Sequence, residues 1–343
     1  MSQETAPHKL NDNWKTWMAY SLLNGLEPQR VREAMISYGV SPLLAKAAVE
    51  DALSHPYLKA GYQLREKFDR REWLLNTIHE VGKRADKEFL DVPKIEAPLY
   101  DEFKKRYYSR NRPVIVTNAI EDWPAKDWTP ESIRELAGDA EVEVQYDRAK
   151  DPLYQAHFNR HSKKMKFADF IDDVLRLSPS NDLYMTSNNK PMEHTDLQCL
   201  KKDYGEIRDG YFAKQRRGDL WLGPAGTITP IHHDLTNNFF IQIYGRKKIK
   251  LVSPLQTPKL YNEFFVYSKA DFSDINTRRF PKTRELDICE FVLEPGQALF
   301  LPIGWWHHIE SLDISISLTF IEFKGVRNDH YSSFPKPKHI LKA

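Results

Sequence analysis

Residues 226–248 have the sequence GTITPIHHDLTNNFFIQIYGRKK, in which two histidines and an aspartate begin a largely apolar run of strand length. In an extended strand, side chains two positions apart project from the same face. His232 and Asp234 therefore share a face, whereas His233 lies on the other. An imidazole and a carboxylate that face the same way are suited to bind one metal ion, so this stretch is predicted to supply two metal ligands.

Short strands and tight turns dominate the sequence around this stretch. DLWLG and a Pro-Ala-Gly turn precede it, and KKIKLVSP, CEFVLEPGQALFLP and DISISLTFIEF follow it. EPGQ predicts a tight turn because proline presets φ and glycine tolerates positive φ. Many short strands joined by turns predict a mainly β fold, either an antiparallel barrel or a jelly roll. Residues 255–288 carry several charges without a clear period, and we expect a loop excursion there.

The beginning of the chain has a helical pattern instead. Apolar residues recur at spacings of three and four between Trp14 and Leu22, as they do on one face of a helix. Ser41 followed by Pro42 is a favoured helix start, with serine as the N-cap. The pattern predicts four regions: helices at 1–90, a linker at 91–98, a β domain at 99–325 and a short tail at 326–343.

Composition argues against several classes of function. The 343 residues include 50 basic and 48 acidic side chains, a net charge of +2, which gives no support to a nucleic-acid-binding surface. The N-terminus is polar, and no apolar run approaches the roughly 20 residues of a membrane helix. Cys199 and Cys289 lack a metal-binding spacing and are expected to be reduced. We therefore expect a cytoplasmic protein without nucleic-acid or membrane partners.

A third ligand for the predicted metal site must come from elsewhere in the chain. WWHHIES offers His307 and His308 beside a predicted strand, and KPMEHTD offers His194, which forms a second HxD pair with Asp196. That second pair lies in a polar stretch without a strand pattern, so a histidine on a later strand is preferred. Two histidines and one carboxylate are the facial triad of non-haem Fe(II) oxygenases, which leaves coordination positions open for substrate and O₂.

Three basic residues, Arg246, Lys247 and Lys248, lie one strand length beyond the HxD pair. Taken alone, they are typical of a charged hairpin turn. An Fe(II) oxygenase that reduces O₂ needs further electrons, and one source is 2-oxoglutarate, whose distal carboxylate requires a buried cation. Beside the predicted triad, the basic cluster is interpreted as the anchor of this co-substrate.

TPIHHDLTNNFFIQIYGRKKIKLVSP followed by EPGQALFLPIGWWHHIESL resembles the JmjC (cupin-like) family of Fe(II)- and 2-oxoglutarate-dependent oxygenases. The resemblance extends over residues 95–325. It is closest to the hydroxylase branch typified by the asparaginyl hydroxylase that acts on hypoxia-inducible factor. It implies a double-stranded β-helix core with flanking helices, Fe(II) as cofactor, and 2-oxoglutarate and O₂ as co-substrates.

Carried over position by position, the resemblance implies a set of metal ligands and a set of co-substrate contacts. The implied ligands are His232, Asp234 and His307, which leaves His308 with a structural role. The implied co-substrate contacts are Lys247 for the distal carboxylate, with Thr229, Tyr184, Asn238 and Thr319 around the same pocket. Thr319 stands where the asparaginyl hydroxylase has an asparagine, so the substrate of that enzyme is not carried over.

Several functions are compatible with these motifs. The leading hypothesis is hydroxylation of an amino-acid side chain in a protein or peptide, with release of succinate and CO₂. N-demethylation and oxidation of a small metabolite use the same iron chemistry, whereas a non-catalytic cupin would bind metal without needing Lys247. Residues 148–165 and 255–288 are predicted to shape the approach of the substrate. The N-terminal helices are interpreted either as a packing or dimerisation element, which would give a homodimer, or as a peptide-docking module.

Overall fold

The structure is a computed structural model that describes residues 10–155, 157–192, 196–213, 218–328 and 330–335. The chain divides into two compact units, Met1–Val81 and Gly82–Ala343. The first unit thus ends before residue 90, where the helical region was predicted to end.

The first unit is built from helices that pack around a small apolar core. Ser41 caps the third of them as predicted, because its side chain accepts a hydrogen bond from the Leu44 amide (3.3 Å). The core includes Leu22, Val31 and Val49, each almost fully buried. The helices are α1 (Asp12–Leu23), α2 (Pro28–Ser37), α3 (Pro42–Ser54) and α4 (Pro56–Ala85), the last of which ends in the second unit.

The second unit contains three further helices and fourteen short strands among the residues that the structure describes. The helices are α5 (Tyr100–Arg106), α6 (Pro130–Ala137) and α7 (Phe167–Leu177). The strands are β1 (Lys94–Ile95), β2 (Val114–Val116), β3 (Glu141–Gln145), β4 (Ser162–Lys166), β5 (Gly218–Gly223), β6 (Ile228–His233), β7 (Asn238–Tyr244), β8 (Lys247–Val252), β9 (Asn262–Phe264), β10 (Tyr267–Ser268), β11 (Cys289–Leu293), β12 (Ala298–Leu301), β13 (Trp306–Ser311) and β14 (Ser315–Phe320).

Two six-stranded sheets form the core of this unit. One has the order β1-β2-β12-β7-β14-β5, and the other has the order β11-β8-β13-β6-β10-β9. Strands β5 to β8 alternate between the two sheets, and so do β11 to β14, which is the connectivity of a double-stranded β-helix. The predicted mainly β, cupin-like fold with flanking helices is therefore confirmed. No helix among the described residues is long and apolar enough to cross a membrane.

Side-chain alternation along β7 separates the packing face from the cavity face. Phe239 and Ile241 are buried in the larger apolar cluster, to which α5, α6 and α7 also contribute. Asn238 and Phe240, one position before and after Phe239, instead line a cavity between the sheets. Burying a large apolar side chain stabilises a fold by about 1.5–3 kcal/mol, so this pattern fixes which face of β7 is turned to the cavity.

Two sequence-based expectations are corrected by the sheet topology. Residues 91–98 were predicted to be a linker, but β1 within them pairs in parallel with β2, and the Ile115 amide donates to Pro93 (2.9 Å). Residues 255–288 were expected to form a loop excursion, yet they contain β9 and β10, and Tyr267 pairs with His232. Both segments lack a detectable period because their strands are only two or three residues long. Within the predicted tail, residues 329 and 336–343 lie outside the described residues.

Candidate active site

Three potential metal ligands converge between neighbouring strands. His232 on β6 lies opposite His307 on β13, and their ring centroids are 4.1 Å apart. Asp234 follows β6 directly, with Oδ1 3.7 Å from His232 Nε2 and Oδ2 3.8 Å from His307 Nε2. One ligand atom from each residue lies within 4.8 Å of the other two. The structure thus brings together the three residues that the resemblance implies as ligands.

Backbone hydrogen bonds orient both imidazoles toward the cluster. His232 Nδ1 donates to the Pro230 carbonyl (2.8 Å), and His307 Nδ1 donates to the Trp305 carbonyl (3.0 Å). A carbonyl oxygen only accepts, so each Nδ1 carries the proton and each Nε2 keeps a lone pair for a metal. Burial, reinforced by the nearby His232, lowers the pKa of His307 to about 3. Two imidazoles and one carboxylate fit the donor set of a facial Fe(II) site.

The other candidate histidines lie apart from this cluster. The His233 ring packs edge-on against Trp306, with centroids 4.7 Å apart. His308 is buried, its pKa is lowered to about 4 chiefly by that burial, and its Nδ1 has no hydrogen-bond partner among the residues described. His194, the alternative ligand, lies outside the described residues, whereas its neighbour Asp196 begins a 3₁₀ helix.

Lys247 is a fully buried cation at the start of β8. Its Nζ donates to the Tyr184 hydroxyl (3.0 Å) and lies 5.0 Å from the centroid of the Phe240 ring. No carboxylate in the described part of the chain forms an ion pair with it. Burial lowers the pKa of Lys247 to about 7. An unpaired buried cation is costly, so this position favours an anionic ligand that would supply the missing charge.

The metal cluster and the buried lysine open into one cavity of about 410 Å³. Thr229 on β6 lies close to Tyr184 at the lysine end, and burial keeps the pKa of Tyr184 far above its usual value. At the metal end, the Asn238 side-chain amide donates to the Asp234 carboxylate. Thr319 on β14 accepts a hydrogen bond from the Trp221 indole (3.0 Å). All eight residues predicted for the site line this cavity: Tyr184, Thr229, His232, Asp234, Asn238, Lys247, His307 and Thr319.

Sequence reasoning missed a second buried cation, Arg148, behind the lysine end of the cavity. Its guanidinium donates to the Ile228 carbonyl (2.8 Å) and lies over the rings of Tyr154 (4.3 Å) and Tyr184 (5.1 Å). Its Nε and Nη1 have no hydrogen-bond partner within the ranges that the structure describes. Arginine is almost never fully buried unless it is paired. The surrounding sequence, QYDRAKDP, looks like an exposed polar loop, so it gave no signal for this burial.

Aromatic side chains from three separate segments line the cavity, and one of them lies beside the metal cluster. The Tyr267 ring on β10 lies beside His232, with the two ring planes tilted by 30° and the centroids 5.8 Å apart, and burial raises the pKa of Tyr267 to about 12. Gln155, Phe158 and Tyr331 line the same cavity. Gln155, Phe158 and Tyr267 fall within the two segments predicted to shape the approach of the substrate. Tyr331 falls in the predicted tail, where no role in the site was expected.

The chain matches one known domain family and is similar to several curated proteins. The cupin-like domain family matches residues 100–321 of the chain. Lysine-specific demethylase 8 of Xenopus tropicalis is 30% identical over 243 residues, which are 67% of this chain and 52% of that protein. Lysine-specific demethylase JMJ30 of Arabidopsis thaliana is 30% identical over 235 residues, 64% of this chain and 51% of that protein.

Other curated relatives match at lower identity. HSPB1-associated protein 1 of Homo sapiens is 26% identical over 267 residues, which are 67% of this chain and 51% of that protein. The chain thus spans about half the length of the curated relatives it matches. Together with the His–Asp–His cluster, these matches confirm the expected cofactor and co-substrates, Fe(II), 2-oxoglutarate and O₂. They support the JmjC resemblance in general, and the asparaginyl hydroxylase branch stays a prediction.

Proposed function

The chain belongs to the cupin-like domain family, and from this premise we propose that it is a 2-oxoglutarate-dependent oxygenase that hydroxylates an amino-acid side chain of a protein or peptide. One observation carries the proposal. A single cavity has a His–Asp–His cluster and a buried, unpaired lysine among its lining residues. A metal site alone would need only the cluster, whereas a site for a metal-bound dicarboxylate needs both.

The proposal gives each side chain a physical task. His232, Asp234 and His307 would hold Fe(II), which supplies the activation of O₂ when bound. Lys247 would pair with the distal carboxylate of 2-oxoglutarate, and the Tyr184 hydroxyl, 3.0 Å from Lys247 Nζ, would complete that anchor. The backbone hydrogen bonds of the two imidazoles keep the ligands in place before the metal arrives, so little reorganisation is required.

The aromatic lining beside the cluster is suited to the substrate side chain. Phe158, Tyr267 and Tyr331 belong to segments distant from one another in sequence, yet they line the same cavity. Apolar walls with a few fixed polar groups are the usual composition of a site that excludes water around a reacting group.

The reaction is tested with wild-type protein, Fe(II), ascorbate and 2-oxoglutarate, first alone and then with a peptide library. We expect peptide-dependent formation of succinate, and mass spectrometry of the peptides should show the gain of one oxygen atom. Asp234→Ala protein serves as the matched control. Succinate at background level with every peptide and small molecule tested would favour a non-catalytic, metal-binding cupin instead.

N-demethylation is a second candidate, because two of the relatives are named lysine-specific demethylases. The same peptide experiment distinguishes it when methylated lysine peptides are included. Release of formaldehyde with loss of a methyl group would support demethylation, whereas retention of the methyl group with a gain of one oxygen would support hydroxylation. Turnover of a free metabolite with no peptide modified would contradict both.

The affinity for 2-oxoglutarate is expected to fall as the pH rises above about 7. Burial holds the pKa of Lys247 near 7 in the free protein, so the ammonium that pairs with the distal carboxylate is increasingly lost above that pH. Binding must then take up a proton, which weakens the apparent affinity by up to about tenfold per pH unit. Isothermal titration calorimetry between pH 6 and 9, in buffers of different ionisation enthalpy, measures both the affinity and the proton uptake.

Lys247→Arg is the control for this pH dependence, because a guanidinium stays protonated over the whole range. We expect it to bind 2-oxoglutarate with a flatter pH profile and without proton uptake, whatever its absolute affinity. An equally steep profile in this variant would assign the pH dependence to another group and remove Lys247 from the proposed contact.

A further inference from the structure

Asn328, which follows β14, is hydrogen-bonded to the loop that connects Asp234 to Asn238. Asn328 Oδ1 accepts hydrogen bonds from the amide nitrogen (2.9 Å) and the side-chain Nδ2 (2.7 Å) of Asn237. Asn328 Nδ2 donates to the carbonyls of Asn237 (2.8 Å) and Ile321 (2.7 Å). Both asparagines are buried. The side-chain amide of Asn328 thus pairs with two donors of Asn237 and with the carbonyl oxygens of Asn237 and Ile321.

The loop that Asn328 holds is the short connection from Asp234 to Asn238. Asn237 lies within it, and its Oδ1 accepts from the Ile303 amide (2.9 Å). The Gly304 amide donates to the Asp234 carbonyl (3.1 Å), so the loop is also tied to the turn before β13. At the cavity surface, the Asn238 side-chain amide meets the Asp234 carboxylate. The Gly304 and Asn238 contacts act on Asp234 directly, whereas the Ile303 contact acts on Asn237, within the connection that leads from Asp234 to Asn238.

The same segment also reaches the wall of the cavity. Tyr331 is among the lining residues, and Phe334 packs edge-on against Phe265 with centroids 5.2 Å apart. Phe265 lines the cavity as well, between β9 and β10. Described residues that follow Asn328 in the chain thus reach the cavity wall, Tyr331 directly and Phe334 through Phe265.

We propose that Asn328 is a positioning residue for the metal and co-substrate site, acting through Asn237 on Asp234 and Asn238. The inference rests on the proposed function, since it gives Asp234 the role of a ligand. A buried polar network in which every member has a partner is rigid and specifies one arrangement. Loss of Asn328 leaves the Asn237 amide and carbonyl without those partners in a buried place, so the loop is free to adopt other arrangements.

The experiment compares two substitutions that separate hydrogen bonding from packing. Asn328→Leu keeps nearly the same side-chain shape but removes both hydrogen-bonding roles, and Asn328→Ala removes the shape as well. Asn118→Leu is the matched control, because Asn118 Oδ1 likewise accepts from a backbone amide, that of Ala97, away from the cavity lining. The readouts are the dissociation constant for Mn²⁺ without substrate, the KM for 2-oxoglutarate and the thermal melting temperature.

We expect Asn328→Leu and Asn328→Ala both to weaken Mn²⁺ binding by about 10- to 100-fold, the usual effect of removing a group that orients a metal ligand. Asn118→Leu should leave Mn²⁺ binding within about twofold of wild type even if its melting temperature falls. Affinity for Mn²⁺ that is unchanged in both Asn328 variants would overturn the inference. Failure of both to fold would overturn it too, because Asn328 would then be purely structural. Absence of Mn²⁺ binding by the wild-type protein would instead contradict the proposed function.

Discussion

Replacing Asp234 by alanine is expected to reduce metal-dependent conversion of 2-oxoglutarate to succinate to background. The carboxylate lies 3.7 and 3.8 Å from the two imidazole Nε2 atoms, and it is the only acidic member of the cluster. Removing a residue that merely orients a ligand costs about 10- to 100-fold in metal affinity, so removal of the ligand itself should exceed that range. The measurement is succinate formation, together with titration of Mn²⁺ into the metal-free protein.

His308→Ala is the matched control for the Asp234 substitution. His308 is as buried as its neighbour His307, but it is not a member of the cluster. Its removal should lower the melting temperature, since it leaves a cavity, and should leave Mn²⁺ affinity near the wild-type value. Full retention of turnover by Asp234→Ala would contradict the ligand assignment. Equal loss of Mn²⁺ binding in the two variants, with both folded, would show that the measurement reports general damage to β13 and its surroundings.

The two metal ligands that sequence spacing predicted, His232 and Asp234, follow from the alternation of side chains along a strand. A strand alternates its side chains between two faces, so the spacing of His232 and Asp234 was sufficient to pair them and to separate His233. The third histidine could not be chosen by spacing alone, because it comes from a strand far away in sequence. Its identification needed the family resemblance, and the antiparallel pairing of β6 with β13 supplies the physical reason that His307 lies opposite His232.

The parts that sequence did not predict are those created only by tertiary packing. Arg148 and Asn328 are polar residues in segments without periodicity, where exposure is the ordinary expectation. Their burial follows from how Tyr154, Tyr184 and Asn237 surround them. Local propensity carries no information about such long-range contacts. It likewise failed for β1 and β10, because two-residue strands are too short to show alternation.

Burial of Lys247 is expected to lower the free energy of unfolding of the ligand-free protein. The strand position would suit an apolar residue, since Lys247 is fully buried, pairs with Leu293 on β11 and has its amine 5.0 Å from the centroid of the Phe240 ring. A charged amine there loses its hydration and, among the described residues, gains in return one hydrogen bond to the Tyr184 hydroxyl and contact with the Tyr184 and Phe240 rings. The depressed pKa expresses that cost, and an anion bound in the cavity would offset it. Replacing Lys247 by an apolar residue should therefore weaken 2-oxoglutarate binding and, at the same time, stabilise the ligand-free protein.

Lys247→Met is accordingly expected to raise the KM for 2-oxoglutarate by about 10- to 150-fold. A charge-assisted hydrogen bond contributes about 1.5–3 kcal/mol, and each 1.4 kcal/mol corresponds to a factor of about ten. The same substitution should stabilise the ligand-free protein, because an apolar replacement is often neutral or stabilising by about 1–4 kcal/mol even for a buried ion pair, and Lys247 has no carboxylate partner among the described residues. Steady-state kinetics at varied 2-oxoglutarate and thermal unfolding without ligand measure the two effects.

Lys248→Met is the control, because Lys248 is the next residue of β8 and lies on the opposite face. Its Nζ is 3.6 Å from a Glu310 carboxylate oxygen, and both side chains are partly exposed. Exposed ion pairs contribute about 0–1 kcal/mol, so neither the KM nor the melting temperature should change greatly. An unchanged KM in Lys247→Met would remove the lysine from the co-substrate site. A raised KM with a lower melting temperature would mean that Lys247 supports the strand, and that the buried charge is compensated by the protein itself.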